Sequence, residues 1–486
     1  MNYKMLCKFL GLVLLIEAGL LVFPMVVALI YKESAVPYLI TMGIILAVSL
    51  PTRFLNPKNK RFYAKDGFIC VALSWIILSL FGALPFVFSG AIPNFIDAFF
   101  ETVSGFTTTG ASIIPAGGIE ILPKGILFWR SFTHWVGGMG VLVFMLAIIP
   151  NTEGNVIFLM RAETPGPQKG KLVPKLKDSS LILYVIYLAL TLIQIMALLC
   201  TGMPLYDCLV NSFGTMGTGG FSVLNDSIAG YNNPAAEIII AVFLILAGIN
   251  YNIFFFALIK KFKDIGKNEE LRLYLIIVSV STILIAVNIF NSENLLQDSY
   301  DFFGHALRDA LFQVASIIST AGFTTANFDV WPYFSQSIII ILMFIGACAG
   351  STAGGLKISR LLILFKSMKR EARKIFKPNS IKTLRLDGDT LGEHTVRSTL
   401  SYFCFYIITM VISFLVISIE GKDLLTTSTT VISCFNNIGP ALGDAFLTYA
   451  DYSYFSKIFL SFVMLFGRLE IMPMLILFSP TTWKKN

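Results

Sequence analysis

Four short segments rich in Gly, Thr and Asn have residue types and spacing that suit the binding of a bare cation. Each begins at an Asp and ends at a Gly, from Asp97 to Gly110, Asp207 to Gly220, Asp309 to Gly322 and Asp423 to Gly439. The Asp and Gly are 13 residues apart in the first three segments and 16 apart in the fourth. No acidic side chain lies within 107–112, 218–222, 319–325 or 436–442. A cation would therefore be bound by main-chain carbonyl oxygens, which can replace the hydration shell of an alkali ion.

The composition sets the elements that must position these segments. The chain of 486 residues is 56% hydrophobic and only 14% charged, whereas a soluble globular domain carries about 25% charged residues. This composition excludes an ordinary soluble enzyme, a disordered chain and a secreted disulfide scaffold, and it indicates a polytopic membrane protein. The net charge of +8 is spread over short basic runs between apolar segments, which favours membrane orientation over binding to nucleic acid.

Ten apolar stretches are long enough to cross a bilayer as helices, for which about 20 residues are needed. They lie near 9–31, 34–52, 67–89, 125–150, 179–201, 236–259, 273–291, 335–365, 398–419 and 458–480. In a ten-span chain the basic clusters all fall on one side, at 58–65, 169–177, 260–267, 366–377 and 484–485. Because basic loops remain in the cytoplasm, the sequence predicts a multi-pass protein of the cytoplasmic (inner) membrane with both termini cytoplasmic.

Four further apolar stretches are too short to be spans and contain the Gly-rich segments. They lie at 97–112, 207–222, 309–325 and 424–440. We expect each to be re-entrant, with a short helix going in and an extended segment coming out, because non-helical backbone at membrane depth must line a cavity or water. The Asp that opens each stretch is expected to cap its helix. The partially negative C-terminal ends of four such helices would favour a cation between them.

The four stretches form an internal repeat. Their glycines recur every 110, 102 and 117 residues, so that each period holds a span, a re-entrant loop and a second span. The predicted organisation is a two-helix N-terminal extension at 1–56 and pore repeats at 57–168, 169–264, 265–385 and 386–486. Repeats with two full spans keep one orientation and surround a single axis, unlike inverted repeats. The predicted fold class is an all-α polytopic membrane protein with four parallel span–re-entrant loop–span repeats around a central pore, plus two extra N-terminal transmembrane helices.

The eighth span contains a candidate gate. Residues 346–355 read GACAGSTAGG, and so many glycines make a poor continuous helix. An alternative is close helix packing, because Gly346, Gly350 and Gly354 have GxxxGxxxG spacing. Gly355 and Lys357 follow directly, and Lys357 would place a positive charge near the inner end of a pore.

Arg468 interrupts the tenth span and is a second candidate for the gate. A charge at membrane depth is costly and by default indicates function. We expect either a positive barrier in the pore or a salt bridge to another helix, since Glu470 does not share a helix face with Arg468. The three His residues do not cluster in sequence, and His134 is expected to be a packed polar group.

The segments SGFTTTGAS, GTGGFS, STAGFTT and NNIGPALG resemble the four filter loops of the Trk/Ktr/HKT superfamily of potassium transport proteins. The two extra N-terminal spans and the length resemble a TrkH/TrkG-type membrane subunit. The resemblance implies that K+ binds to filter backbone at Thr108, Thr109, Gly110, Thr218, Gly219, Gly220, Thr320, Ala321, Gly322, Asn437, Ile438 and Gly439. It implies a preference for potassium over sodium because Gly110 is not replaced by Ser. It also implies that 346–355 is an intramembrane gating loop and that Arg468 lies in the last pore-lining helix.

The predicted function is potassium uptake through a channel-like pore, driven by the membrane potential, with K+ as the transported ion and no cofactor in this chain. A symporter that couples potassium to sodium or protons is the alternative, although it needs a second ion site or an intramembrane acid. A membrane enzyme is disfavoured because candidate catalytic groups do not converge. The resemblance implies a homodimer in the lipid bilayer and a cytosolic nucleotide-binding regulatory subunit similar to TrkA, with no nucleic-acid partner.

Overall fold

The computed structural model describes residues 3–55, 64–140, 176–292, 302–378 and 383–483. The helices of the first half are α1 (Tyr3–Leu20), α2 (Val22–Ile30), α3 (Val36–Arg53), α4 (Ala64–Gly82), α5 (Leu84–Phe88), α6 (Phe95–Phe106), α7 (Lys124–Gly138), α8 (Leu176–Leu199), α9 (Leu205–Gly217), α10 (Pro234–Ala247) and α11 (Tyr251–Leu258). Those of the second half are α12 (Phe262–Lys267), α13 (Glu269–Phe290), α14 (Phe303–Ile318), α15 (Tyr333–Ile345), α16 (Ile358–Phe376), α17 (Glu393–Ile417), α18 (Leu424–Asn436), α19 (Tyr454–Arg468), α20 (Met472–Phe478) and α21 (Pro480–Trp483). Within these ranges β-structure is limited to an antiparallel pair, β1 (Arg385–Leu386) and β2 (Asp389–Thr390).

The predicted all-α polytopic class is confirmed. Six helical segments of the described chain are long and apolar enough to cross a membrane: Tyr3–Ile30, Val36–Arg53, Lys65–Phe88, Ser180–Leu199, Glu269–Phe290 and Glu393–Glu420. The outer helices present apolar stripes at helical spacing, as with Ile408, Val411 and Leu415 on α17, each more than half exposed. Such stripes are typical of helices that face lipid, because lipid tails are as apolar as these side chains and the exposed surface carries no hydrophobic penalty. The described residues do not include the part of the fourth predicted span that follows residue 140. They also do not include the basic residues at 58–61, 169–175 and 484–485.

The sixth span, predicted to run unbroken over 236–259, is bent by 92° between α10 and α11. Asn250 caps α11 by accepting a hydrogen bond from the Asn252 amide at 2.9 Å, and a capping residue has non-helical backbone. The carbonyl of Gly248 accepts a hydrogen bond at 3.1 Å from the amide of Cys348, in another span. Asn250 and Asn252 interrupt the apolar run at this break, and the prediction of a continuous helix, which overlooked them, was wrong.

The eighth and tenth spans are also interrupted. The eighth stops at Ile345 and resumes at Ile358, leaving an irregular stretch, residues 346–357, that we call the gate loop. The tenth stops at Arg468, and the φ angles of Glu470 and Ile471 are +57° and +65° before α20 begins. A positive φ is uncommon outside glycine and an outlier for a β-branched residue, so the break after Arg468 is a sharp change of chain direction.

The four predicted re-entrant stretches contain the short helices α6, α9, α14 and α18, which we call the filter helices. Each filter helix packs against three other helices: α6 against α4, α7 and α19; α9 against α7, α8 and α10; α14 against α10, α13 and α15; and α18 against α15, α17 and α19. Neighbouring filter helices thus share one packing partner, and the last shares α19 with the first. This circular packing arranges the four filter helices around one another, and it buries almost all of α6 after its first turn.

The predicted helix caps were right at only one of four positions. Asp423 caps α18 by accepting hydrogen bonds from the amides of Leu425 and Thr426. At α6 the cap is Asn94, and Asp97 instead forms an ion pair with Lys457 at 2.8 Å. Asp207 lies inside α9, which starts after a proline, and Asp309 lies well inside α14. Both predictions were wrong because these helices begin further upstream than the apolar pattern suggested.

Candidate ion filter and gate

All four filter helices end in the same backbone turn. One or two residues after each helix end, the residue at 108, 218, 320 or 437 has a φ between 56° and 58°. The next amide donates to a carbonyl five residues earlier: Thr109 to Ser104 at 2.9 Å, Gly219 to Gly214 at 2.8 Å, Ala321 to Ser316 at 2.8 Å and Ile438 to Ser433 at 3.0 Å. This is the Schellman motif, which usually places Gly at the left-handed position. Three of the four positions hold Thr, whose branched side chain disfavours positive φ, so the surroundings must stabilise these turns.

The four glycines of the sequence repeat meet in a closed ring. A Cβ placed on Gly110 would lie 2.6 Å from the Gly220 nitrogen, and one on Gly220 would lie 2.7 Å from the Ala321 oxygen. A Cβ on Gly322 would collide with the Ile438 carbonyl, and one on Gly439 would lie 2.6 Å from the Thr109 oxygen. The contacts follow chain order and return from the fourth segment to the first. A side chain at any of the four positions would thus push into its neighbour's backbone.

The backbone beside this ring carries carbonyl groups without a hydrogen-bond donor. Within the described part of the chain, no donor reaches the carbonyl oxygens of Thr108, Thr109, Gly110, Thr218, Gly219, Gly220, Thr320, Ala321, Gly322, Asn437 and Ile438. Gly439 differs, because its carbonyl accepts from the Tyr449 hydroxyl at 2.7 Å. Buried backbone carbonyls are nearly always paired with protein groups or with water, so these clustered oxygens are available to a cation or to water. Carbonyls just beyond the ring are paired, as Ser222 with Arg130 and Phe323 with Ser316 illustrate.

A buried ion pair braces the first two filter segments. Glu101 and Arg130 lie 2.6 Å apart, and their side chains are 0% and 2% exposed. Glu101 also accepts from the Ser112 hydroxyl at 3.0 Å and the Ile113 amide at 2.9 Å. Arg130 donates to the Ser222 carbonyl at 3.2 Å. Because the remaining groups of both charges are satisfied by filter backbone, the pair links segment one to segment two at a fixed distance.

His134 makes a second link between the same segments. Its Nδ1 lies 2.7 Å from the Gly105 carbonyl and therefore carries the proton. Its Nε2 accepts from the Phe221 amide at 3.3 Å, and the two rings lie 4.2 Å apart. His134 is a packed polar group, as expected. The sequence did not predict that it would lie directly beside two filter segments.

The fourth segment is tied back to the first. The Asn437 amide Nδ2 donates to the Thr109 hydroxyl and to the Met464 carbonyl, both at 3.0 Å. The amide of Tyr449 donates to the Ser112 carbonyl at 2.8 Å. Asn437 therefore has two roles. Its backbone adopts the left-handed conformation that Asn tolerates, and its side chain joins the fourth filter segment to the first.

The gate loop leaves and re-enters its span at nearly the same place. The amide of Lys357 donates to the Ile345 carbonyl at 3.0 Å, and a Cβ on Gly346 would lie 2.6 Å from the Gly354 oxygen. Gly346, Gly350 and Gly355 have positive φ. Since these glycines form a closed loop and not a helix, the helix-packing interpretation of their spacing was wrong. Lys357 is buried, and its ammonium donates to the Ala353 carbonyl of the same loop.

The gate loop contacts the filter directly. The amide of Gly354 donates to the Thr320 hydroxyl at 2.7 Å, and a Cβ on Gly354 would collide with the Asn436 carbonyl. The loop therefore lies against the ends of the third and fourth filter helices. No residue larger than Gly fits at this contact.

A buried carboxylate holds the gate loop and the helix that follows it. Oε1 of Glu270 accepts from the Ala349 amide at 2.7 Å and from the Ser359 amide at 3.1 Å. Glu270 belongs to α13 and is almost fully buried. One oxygen thus ties both the gate loop, at Ala349, and the first turn of α16, at Ser359, to a neighbouring span.

Arg468 connects the gate loop to the rest of the bundle. Its Nη1 donates to the Thr352 carbonyl at 2.7 Å, and its Nη2 donates to the carbonyls of Gly137 and Gly138 at 2.6 and 2.8 Å. Glu470 pairs with Arg360 at 2.6 Å, consistent with the expectation that it does not neutralise Arg468. The guanidinium therefore bridges three backbone carbonyls on the gate loop and α7.

Comparison with known proteins identifies the family. The family model described as TrkH, cation transport protein, matches residues 38–485.

The chain belongs to the TrkH family of cation transport proteins.

Its relatives in this family include the Trk system potassium uptake protein TrkH of Salmonella typhimurium, 36% identical over 491 residues that cover 100% of both chains. The Trk system potassium uptake protein TrkG of Escherichia coli is 32% identical and covers 95% of this chain and 94% of its own length. The crystal structure of the potassium transporter TrkH from Vibrio parahaemolyticus superposes with a TM-score of 0.88 at 33% identity, covering 100% of both chains. The family resemblance inferred from the filter segments is thus confirmed, and so is a non-enzymatic transport function.

The TrkH-family chain also contains structural residues that the sequence analysis did not single out. Glu101, Arg130 and Glu270 each contact filter or gate backbone. Their signal in the sequence was present, because a charge inside an apolar stretch is rare and has a partner by default. Among the residues described, no group of three or more His, Cys, Asp or Glu side chains could hold a metal ion.

Proposed function

We propose that this protein carries potassium across the cytoplasmic membrane through a channel-like pore whose filter consists of backbone carbonyls. The observation that carries the proposal is the ring of Gly110, Gly220, Gly322 and Gly439, together with the buried carbonyls beside it that lack donors among the described residues. A dehydrated alkali cation would provide the partner that these oxygens lack. The named relatives are potassium uptake proteins, which supports potassium as the cargo.

The proposed filter has four unequal sides. Three segments offer free carbonyls at 108–110, 218–220 and 320–322, whereas in the fourth the Gly439 carbonyl is engaged by Tyr449. Fewer oxygens on one side reduce the number of ligands that can replace water around the ion. We therefore infer a filter that prefers potassium less strictly than a ring of four identical strands.

The proposed gate is the loop 346–357 together with Lys357 and Arg468. The loop lies against the filter at Thr320, and the guanidinium of Arg468 holds it through the Thr352 carbonyl. Two positive charges here would repel a cation leaving the filter. Opening requires that the loop detach from Arg468 and move away from the conduction path.

The remaining parts of the proposal concern energy and partners. Uptake is driven by the membrane potential, which contributes about 2.3 kcal/mol per charge per 100 mV. The termini are cytoplasmic, as the basic clusters indicate. The protein functions as a homodimer with a cytosolic nucleotide-binding subunit of the TrkA type, which acts on the gate from the cytoplasmic side.

The test is ion flux into liposomes that contain the purified protein. Potassium, rubidium and sodium are compared for the parent protein, for Gly110→Ser and for the control Gly43→Ser, since Gly43 has open space where a Cβ would be. We expect Gly110→Ser to lose potassium preference, because a Cβ at this position meets the Gly220 backbone. Unchanged selectivity in Gly110→Ser would contradict the proposed filter.

The reversal potential separates the channel from the symporter. A channel-like pore gives a reversal potential that lies between the equilibrium potentials of the ions it conducts, here potassium and sodium, and that does not depend on the proton gradient. A reversal potential that moves with the proton gradient, or that lies outside the range set by potassium and sodium, would instead establish coupled transport.

A further inference from the structure

The helix that follows the gate loop carries an unusual concentration of positive charge. A cavity of about 260 Å³ is lined by five basic side chains of α16 and by one from the short β-structure. The basic residues are Lys366, Lys369, Arg370, Arg373, Lys374 and Arg385. The ammonium of Lys366 donates to the Arg385 carbonyl at 2.8 Å, so the second wall of the cavity is attached to the helix.

The charges in this cavity are only partly compensated. Lys366 pairs with Glu269, Arg370 with Glu393 and Glu371, and Lys374 with Glu371. No carboxylate of the described residues pairs with Lys369, Arg373 or Arg385. Like charges in one concavity repel one another, and a bound anion would relieve that repulsion.

The same helix exposes a continuous apolar stripe. Phe365 and Met368 are 58% and 64% exposed, and Ile375 and Phe376 are 79% and 84% exposed. These residues lie at helical spacing with basic residues on either side. A basic helix with an exposed apolar face is typical of the boundary between lipid headgroups and acyl chains. The cavity therefore opens at the depth where lipid phosphates lie, on the side that the basic clusters make cytoplasmic.

We propose that this cavity is a binding site for a phosphate group, supplied by the headgroup of an anionic phospholipid. Arg and Lys side chains bind phosphate oxygens through charge-assisted hydrogen bonds. Basic pockets on the cytoplasmic side of membrane proteins suit anionic headgroups. Since α16 begins where the gate loop ends, the bound lipid would also anchor the outer end of the gate. The site is independent of which ion the filter conducts.

The experiment compares two double variants with equal loss of charge. Lys369→Gln/Arg373→Gln removes two unpaired cations of the cavity, and Lys261→Gln/Lys263→Gln removes two exposed cations elsewhere. All four side chains are exposed, so both variants are expected to fold. Each protein is placed in nanodiscs of phosphatidylcholine with increasing phosphatidylglycerol, and bound anionic lipid is measured by native mass spectrometry.

We expect the cavity variant to bind phosphatidylglycerol about 30-fold more weakly than the parent, at roughly fivefold per basic residue near the membrane. The control variant removes two membrane-proximal cations that do not line this cavity, and it should lose clearly less lipid than the cavity variant. A parallel arm adds inorganic phosphate to detergent-purified protein without anionic lipid and follows thermal unfolding. Stabilisation by phosphate alone, lost in the cavity variant, would support the phosphate site but assign it to a soluble ligand.

Equal lipid binding by the cavity and control variants, with no effect of phosphate, would overturn the proposal. The same holds if the cavity variant keeps its lipid but loses binding to an acidic regulatory protein, because the cavity would then be a protein-docking surface.

Discussion

Replacing Arg468 tests whether the gate loop is held by a latch. The contacts of the guanidinium include a hydrogen bond to the loop, at Thr352, and hydrogen bonds to α7, at Gly137 and Gly138. Opening the loop breaks the first of these and leaves the other two in place. A hydrogen bond to a charged group contributes about 1.5–3 kcal/mol, and about 1.4 kcal/mol corresponds to a tenfold change in an equilibrium constant. Arg468→Ala should therefore raise the ratio of open to closed protein about 10- to 100-fold.

The assay is rubidium uptake into potassium-loaded liposomes at matched protein content. Arg468→Ala is compared with the parent and with Arg272→Ala, which removes an exposed arginine far along the chain. Arg468→Lys keeps the charge but lacks the planar fork that bridges several acceptors. If the latch matters, the lysine variant conducts more than the parent. If only the positive charge matters, the lysine variant conducts as the parent does.

One result would refute the latch altogether. A folded Arg468→Ala protein whose uptake stays within twofold of the parent would show that the bond to Thr352 does not limit opening. Folding is checked by size-exclusion chromatography and by helical content, because the lost contacts with α7 also affect packing.

Three further predictions concern contacts that support the filter and the gate. Thr320→Val removes the hydroxyl that accepts from the Gly354 amide of the gate loop, and an unpaired buried donor costs about 1–3 kcal/mol. Because the closed loop is destabilised by this amount, we expect a leak of rubidium in flux assays. The control Thr399→Val should show no leak. Glu270→Leu frees the loop and the first turn of α16 and should leak, whereas Glu270→Gln keeps the accepting oxygen and should resemble the parent; a leaking Gln variant would mean that the charge matters instead. Asp423→Ala should lower stability by about 1 kcal/mol in thermal unfolding. Hydrogen bonds from Thr426 lower the pKa of the Asp423 carboxyl in the folded protein. The stability that this cap contributes is therefore fully present above the ordinary pKa of Asp and is lost as pH falls through the lowered pKa. The stability of Asp423→Asn should not change with pH over that range on account of this position.

Local repetition explains why the four proposed filter segments could be located in the sequence. The Asp-to-Gly spacing and the Thr and Gly types recur in each copy. The left-handed residues at 108, 218, 320 and 437 could not be predicted, because three of them are Thr and their turns need support from the surrounding structure. The gate loop was also visible, because Gly346, Gly350 and Gly355 weaken a helix wherever they occur.

Long-range contacts explain what was missed. At the bend, the Gly248 carbonyl accepts a hydrogen bond from the amide of Cys348, 100 residues away, a contact that the sequence does not reveal. The sequence analysis passed over Arg130 and Glu101, and only the folded bundle brings them to filter backbone. The starts of α9 and α14 were misplaced because aromatic and apolar residues precede each Asp, so the helix extends upstream of the expected cap.

The contact between Asn437 and Thr109 joins residues 328 positions apart. A ribosome adds residues one after another, so the first filter segment waits for most of the polypeptide to be made before its last neighbour exists. The three earlier segments alone leave the circle of carbonyl oxygens incomplete. If this ring is the proposed potassium filter, the nascent chain acquires its ion site only when synthesis is nearly finished.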